Sequence, residues 1–168
     1  MKNWIFILLS VGLLYSCSGG KRTKTFKLEN VEFVYSGPIF EGSNPAQYVA
    51  SIDLKSILKE DYTEGVEVDN ASLKSALVRP SEADNFSEIN ALVLSLACDN
   101  PDLQMQELAV VNPIPKGSKK VKLKPSPTAD ATYFFGEKKI YVVLDASFSK
   151  DVDRNVVLLG SFEFELTY

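Results

Sequence analysis

The sequence predicts an all-β fold: a single antiparallel β-sandwich of about eight strands, Ig-like or jelly-roll-like, with one or two short helical turns. Apolar and polar residues alternate from Thr25 onward, and a period of two is typical of half-buried strands. Prolines fall between the alternating runs, where a missing backbone N–H does least harm. The chain is 168 residues long, which suits one domain with a single core.

The clearest strands lie at the C-terminal end of the chain. Residues 156–167 have one polar face and one apolar face, the latter made of Val156, Leu158, Gly160, Phe162, Phe164 and Leu166. Residues 140–148 form a matching apolar face, and the polar stretch between the two runs predicts an antiparallel pair. The other predicted strands lie at 26–35, with a bulge or break at Glu29-Asn30, and at 47–54, 71–78, 91–97, 107–111 and 119–124. A short helical turn is expected to end near Glu60.

Two of these strands carry further expectations. The strand at 91–97 has small, mostly apolar residues on the face opposite its leucines, so we expect both of its faces to be covered. The candidate covers are the segment 53–60 and the turn 129–135, in which Phe134 and Phe135 would act as lids. Lysines at every second position of 119–124 indicate a guarded sheet edge.

The first residues of the chain resemble an export signal. Lys2 precedes an apolar run from Trp4 to Leu14, which is shorter than the roughly 20 residues of a membrane-spanning helix and typical of a signal peptide. The run ends in Leu14-Tyr15-Ser16-Cys17, which resembles the lipobox of bacterial lipoproteins, with Tyr15 where a small residue is usual. The resemblance implies a signal peptide at 1–16, a lipidated tether at 17–24 and a β-sandwich domain at 25–168. Lipid on Cys17 would hold the domain at a membrane.

The tether and the domain carry a further resemblance. Lys21, Arg22 and Lys24 would be drawn to anionic headgroups, or would only keep a linker soluble. The segments GPIFEGSNPAQ (37–47) and KIYVVLDASF (139–148) look like those of small single-domain lipoproteins of Bacteroidota. In that family, members exported to the cell surface often have acidic residues just after the cysteine. The basic pair Lys21-Arg22 therefore favours the periplasmic face of the outer membrane over the cell surface.

Composition excludes several classes of function. The net charge of −4 becomes one unit more negative when Lys2 is removed, which argues against a nucleic-acid partner. The chain has no histidine, which excludes a Ser–His–Asp triad and removes the commonest metal ligand. Of the two cysteines, a lipidated Cys17 leaves Cys98 as a lone thiol, expected to be an inert, buried side chain.

Two motifs are candidate chemical sites. Residues 151–155 spell D-x-D-x-N, the start of a calcium loop, but an EF-hand would need Gly in place of Val156 and Glu in place of Phe162. A polar hairpin turn is favoured, and Asp151, Asp153 and Asn155 remain candidate calcium ligands; no other cofactor is expected. Residues 56–59 and 147–150 match S-x-x-K without the partner motifs of a serine hydrolase.

Loop aromatics are the remaining candidates for ligand binding. Tyr62, in an acidic stretch expected to be a solvated loop, and Tyr133 would stack on sugar rings if exposed, although packing is the alternative for both. The favoured function is a non-enzymatic, membrane-tethered binding or structural module of the cell envelope, with a protein or glycan as partner. The alternative is a carboxylate-dependent, carbohydrate-active hydrolase.

Overall fold

The computed structural model describes residues 20–82 and 85–168. They form two antiparallel sheets, of four and five strands, which pack around one core and confirm the predicted all-β sandwich. The expected signal peptide and Cys17 lie outside the described residues. Within the described part of the chain, no helix is long and apolar enough to cross a membrane.

The described chain contains nine strands, one α-helix and two 3-10 helices. The strands are β1 (Thr23–Tyr35), β2 (Gly42–Ser51), β3 (Asn70–Pro80), β4 (Ile89–Cys98), β5 (Gln106–Val111), β6 (Val121–Lys122), β7 (Lys124–Pro125), β8 (Lys139–Phe148) and β9 (Val156–Thr167). The helix α1 (Leu54–Leu58) continues into a 3-10 helix at Lys59–Asp61, in agreement with the helical turn predicted to end near Glu60. A second 3-10 helix, at Thr132–Gly136, precedes β8.

The strand order distinguishes the two kinds of sandwich that the sequence left open. The first sheet has the order β1-β9-β3-β6 and the second has β2-β8-β4-β5-β7, so most connections cross between the sheets. If the two-residue β7 is left out and the other eight strands are renumbered 1 to 8 in chain order, the two sheets have the strand orders 1-8-3-6 and 2-7-4-5. This is the jelly-roll arrangement of two interleaved Greek keys.

The core lies between the sheets and follows the predicted alternation. The apolar faces of β8 and β9 are buried, including Ile140, Leu144, Phe162 and Phe164. The bulge predicted in β1 is confirmed, because the pairing of β1 with β9 shifts between Leu28 and Val31. All of these elements and their core lie between residues 22 and 168, so the segment 21–168 contains both sheets.

Two predicted strands differ from the observed ones because of the sheet edges. The predicted strand 119–124 divides at the buried Leu123: β6 pairs with β3 in the first sheet and β7 with β5 in the second. One straight strand cannot belong to both sheets. Strands β6 and β7 both lie at sheet edges, as the lysine pattern predicted. The strand predicted at 47–54 begins earlier, at Gly42, and includes Pro45, which an edge strand tolerates.

The two predicted covers of β4 differ in where they pack. The helix α1 packs on β1, whereas the second 3-10 helix, which contains the buried Phe134 and Phe135, contacts both β3 and β4. The ring of Phe135 lies 5.6 Å from that of Phe26 and 5.4 Å from that of Phe164, measured between centroids. The second 3-10 helix therefore closes one end of the core instead of lying over the outer face of β4, where Val93 is half-buried.

The two ends of the described chain meet at that same end of the sandwich. Strand β1 begins two residues before the expected boundary, and the backbones of Arg22 and Tyr168 exchange two hydrogen bonds of 3.0 Å. The basic residues of the predicted tether pair with acidic residues of the segment 61–69: Lys21 with Asp69 at 3.6 Å, and Arg22 and Lys24 with Asp61 at 2.9 and 3.5 Å. We call this end of the sandwich, where Arg22 meets Tyr168, the terminal end. The opposite end, which holds the β1–β2, β3–β4 and β8–β9 connections, is the distal end.

Candidate functional site

Two connections are fastened together at the distal end. Ile39 of the β1–β2 connection and Val152 of the β8–β9 connection exchange backbone hydrogen bonds of 2.8 and 2.9 Å. The Asp151 carboxylate accepts the N–H of Glu41 at 2.8 Å, and the Asn155 side-chain oxygen accepts the N–H of Gly37 at 3.0 Å. Residues 36–41 and 151–155 therefore form one unit, which we call the distal clamp.

Glycine is required where the two halves of the distal clamp touch. A Cβ on Gly37 would lie 2.9 to 3.0 Å from the backbone of Arg154, which is closer than packed atoms approach. Gly42, where β2 begins, has φ +104°, a conformation that side chains disfavour. Both glycines of the segment 37–47 therefore have a structural reason.

The candidate calcium ligands are part of this clamp. Asp151 and Asn155 each use a side-chain oxygen on a backbone N–H, and Asp153 is exposed. Among the described residues, no group of three His, Cys, Asp or Glu side chains is placed to hold a metal ion. The role visible for Asp151 and Asn155 is to join two connections, and calcium binding stays a prediction.

A cleft of about 320 Å³ lies beside the distal clamp, between the β3–β4 connection and the start of β9. Its floor is made of buried apolar residues, namely Pro80, Phe86, Ile89 and Leu158. Its described rim is polar and consists of Glu82, Asn85, Ser87, Glu88, Arg154 and Asn155. An apolar floor with a few polar groups is the usual composition of a small-ligand site.

An ion-pair network holds Arg154 at the rim of the cleft. The guanidinium lies 2.5 Å from one carboxylate oxygen of Glu88, and Lys150 lies 3.6 Å from the other. The side chain of Glu88 is 20% exposed and that of Arg154 is 57% exposed. A guanidinium has five N–H donors, so Arg154 can remain paired with Glu88 and still offer donors to a ligand.

The predicted aromatic sites lie at the other end of the sandwich. Tyr62 follows the first 3-10 helix and is half-buried, whereas Tyr133 in the second 3-10 helix is 69% exposed. The structure therefore separates both tyrosines from Asp151, Asp153 and Asn155, and neither tyrosine lines the cleft.

Among the residues that line the cleft, the sequence predicted only Asn155 as a site residue, and for another chemistry. Arg154 occupies a variable position of the calcium-like motif, and its partner Glu88 lies 66 residues earlier, a distance at which spacing carries no signal. Phe40 is 67% exposed in the β1–β2 connection. Its neighbour Ile39 is buried, and the sequence offers no way to tell which of the two faces outward.

Two other polar groups have structural roles. Ser56, from one S-x-x-K match, donates to Asp53 at 2.5 Å at the start of α1, and this bond lowers the pKa of Asp53. On the outer face of the second sheet, Asp99 accepts from Lys139 and from the Tyr141 hydroxyl, each at 2.7 Å. The bond from Lys139 is the main cause that lowers the pKa of Asp99.

Comparisons with known proteins identify no family. No protein-family model matches this chain, and no curated protein matches it. A solved structure of Desmodium yellow mottle tymovirus is similar with a TM-score of 0.30 and 11% identity, over 99% of this chain and 95% of that chain. A structure of turnip yellow mosaic virus is similar with a TM-score of 0.23 and 12% identity, over 88% and 93%. Likenesses of this strength support no statement about this chain.

Proposed function

We propose that the protein is a non-enzymatic binding module of the cell envelope, anchored by lipid on Cys17 to the periplasmic face of the outer membrane. Its ligand site is the cleft at the distal end, and the ligand is a glycan or another small polar molecule. The observation that carries this proposal is the half-exposed Arg154, which Glu88 and the distal clamp hold in place over an apolar floor.

The size and chemistry of the cleft support a small polar ligand. A volume of about 320 Å³ is at the low end of the range of small-molecule sites and suits one or two sugar rings. Rim amides, hydroxyls and the guanidinium match the hydroxyl groups of a glycan. Phe40, at the same end, offers an exposed ring on which a sugar would stack.

The position of the cleft is compatible with membrane anchoring. The chain enters the fold at the terminal end, and the 13 residues of β1 span roughly 40 Å at about 3.3 Å per residue. A bilayer that touches the terminal end therefore leaves the distal cleft open.

The hydrolase alternative keeps one supporting observation, since Glu82 and Glu88 both line the cleft. Glycosidases use two carboxylates that flank the scissile bond. However, Glu88 already pairs with Arg154 and Lys150, a use that favours binding over catalysis.

The test is thermal unfolding of the segment 21–168 with a panel of envelope and host glycans, with calcium and with EDTA. A ligand at 100 times its Kd adds about 2.7 kcal/mol to the free energy of unfolding, which shifts the midpoint by a few degrees. Arg154→Ala should abolish the shift. Lys27→Ala should keep it, because Lys27 also pairs with an acid, Glu163, but on the outer face of the first sheet.

Three outcomes would count against this function. A shift of equal size in Arg154→Ala would place the ligand elsewhere. The absence of a shift with every glycan would leave a protein partner or a structural role. Release of new reducing ends from a bound glycan, lost in Glu82→Gln, would establish the hydrolase alternative.

A further inference from the structure

A lipid on Cys17 would hold the terminal end close to the bilayer. The backbone of Arg22 is already bonded to that of Tyr168, so only residues 18–21 separate Cys17 from the fold. An extended chain spans at most about 3.6 Å per residue, which limits the distance from Cys17 to Arg22 to about 18 Å. The part of the domain that faces the membrane is therefore the terminal end.

Two of the most exposed apolar side chains of the described chain lie at this end. Tyr133, in the second 3-10 helix, is 69% exposed, and Met105, just before β5, is 63% exposed. The connections that carry them are joined, because the Asn100 amide donates to the Glu137 carboxylate at 2.9 Å. A phenol ring and a thioether thus project from two connections that are held together.

The outward position of Tyr133 follows from the way the second 3-10 helix closes the core. A 3-10 helix has three residues per turn, so Ala131 and Phe134 share one face, and both are buried. Phe135 is buried as well and packs against the aromatic rings of the first sheet. Since these side chains occupy the inner face, the ring of Tyr133 remains outside.

The charges at the terminal end indicate which kind of lipid surface it fits. The segment 60–69 contains five acidic residues and no basic one. Its Asp61 and Asp69 pair with the basic residues Lys21, Arg22 and Lys24. Positive charge at this end is therefore offset, which favours a zwitterionic lipid surface over an anionic one.

We propose that the terminal end rests on the bilayer, with Tyr133 and Met105 inserted among the headgroups of zwitterionic lipids. This contact rests on the lipid anchor proposed above. Tyrosine is typical of the membrane–water interface, and methionine is a flexible apolar side chain. The short tether gives the terminal end a high effective concentration at the surface, so two side chains are enough to keep the domain upright, with the cleft away from the membrane.

The test is quenching of tryptophan fluorescence by brominated lipids. The one tryptophan of the chain, Trp4, lies in the predicted signal peptide, so the mature lipoprotein has none. Tyr133→Trp and Met105→Trp each introduce a single reporter into the purified mature lipoprotein. In phosphatidylcholine vesicles with bromine on the acyl chains, both reporters should lose fluorescence relative to unbrominated vesicles, and their emission should shift to shorter wavelengths.

A matched control lies at the opposite end of the sandwich. Phe40 is 67% exposed in the β1–β2 connection, so Phe40→Trp should be equally bright in both kinds of vesicle. Quenching of Tyr133→Trp should also persist at about 1 M salt, where charges are screened beyond about 3 Å. Its loss at high salt would show that charges hold this end at the surface and would overturn the apolar contact.

Flotation of the wild-type lipoprotein with the same vesicles tests the anchor separately. A wild type that does not float would overturn the anchor, and this contact with it. If the wild type floats but neither Tyr133→Trp nor Met105→Trp is quenched, the anchor stands and the contact is overturned. Quenching of Phe40→Trp to the same extent as Tyr133→Trp would also overturn it, because the domain would then have no fixed orientation.

Discussion

The ring of Phe162 lies directly against Gly160, two residues earlier on the same face of β9. A Cβ on Gly160 would come within 2.7 Å of Cε2 of Phe162 and 3.0 Å of Cε2 of Phe33. Gly160 is also a central position of the first sheet, paired with Val31 on one side and Val78 on the other. The missing side chain thus provides the space for two aromatic rings in the core.

Gly160→Ala should therefore destabilise the fold. The added methyl overpacks a position where the backbone is held on both sides, and such changes cost about 1–3 kcal/mol. Chemical denaturation of the segment 21–168 measures the loss. Gly136→Ala is the matched control, since a Cβ there has nothing within 4 Å; equal losses for both variants would refute this account of Gly160.

Tyr35→Phe should also lower the free energy of unfolding. The buried Tyr35 hydroxyl donates to the carbonyl of Leu144 at 2.8 Å, linking the end of β1 to the opposite sheet. Removal of the hydroxyl leaves that carbonyl without this donor, at a cost of about 1–2 kcal/mol. Tyr48→Phe, at an exposed ring, should change stability by less than about 0.5 kcal/mol.

The same hydroxyl predicts a pH dependence. Burial, and to a lesser degree the negative charge of Asp145, raise the pKa of Tyr35 far above its ordinary value. An unfolded chain ionises this tyrosine above about pH 10, while the folded chain keeps the proton, so the free energy of unfolding falls as the pH rises further. Between pH 9 and 11 the wild type should lose more stability than Tyr35→Phe. Parallel losses would show that Tyr35 titrates normally.

The distal clamp should depend on Asn155 more than on Asp153. Asn155→Ala removes the acceptor for the Gly37 N–H and should cost about 1 kcal/mol. Asp153→Ala removes an exposed side chain and should cost little. The pair also tests the calcium hypothesis: if calcium stabilises the wild type in thermal unfolding, Asp153→Ala should reduce that shift, whereas a clamp alone predicts no shift with calcium or EDTA.

The predictable part of this fold is where sequence alternation and burial coincide. Strands β8 and β9 alternate strictly because each has one face in the core, and both were predicted. The lysine-rich segment around Leu123 alternates just as well, but the alternation continues through a corner between sheets and cannot show where pairing changes. The first half of β2 was not predicted because it contains Pro45. An edge strand tolerates a proline, but the sequence does not show that β2 is an edge.

The candidate site was less accessible to sequence reasoning. Arg154, Glu88 and Phe86 come from connections that only the jelly-roll order brings together, and each belongs to a segment whose local pattern indicates an ordinary polar turn. The D-x-D-x-N motif at residues 151–155 lies beside this site. Two of its side-chain oxygens accept the backbone N–H groups of Gly37 and Glu41.

The junction of Arg22 with Tyr168 at the terminal end has a mechanical consequence. If the protein is anchored and binds a ligand as proposed, tension between the two ends would act along β1, which is paired antiparallel with β9. Force in that direction shears the hydrogen bonds between the two strands together, instead of peeling them apart one by one. The first strand is then suited to carry load between a membrane and whatever the distal end holds.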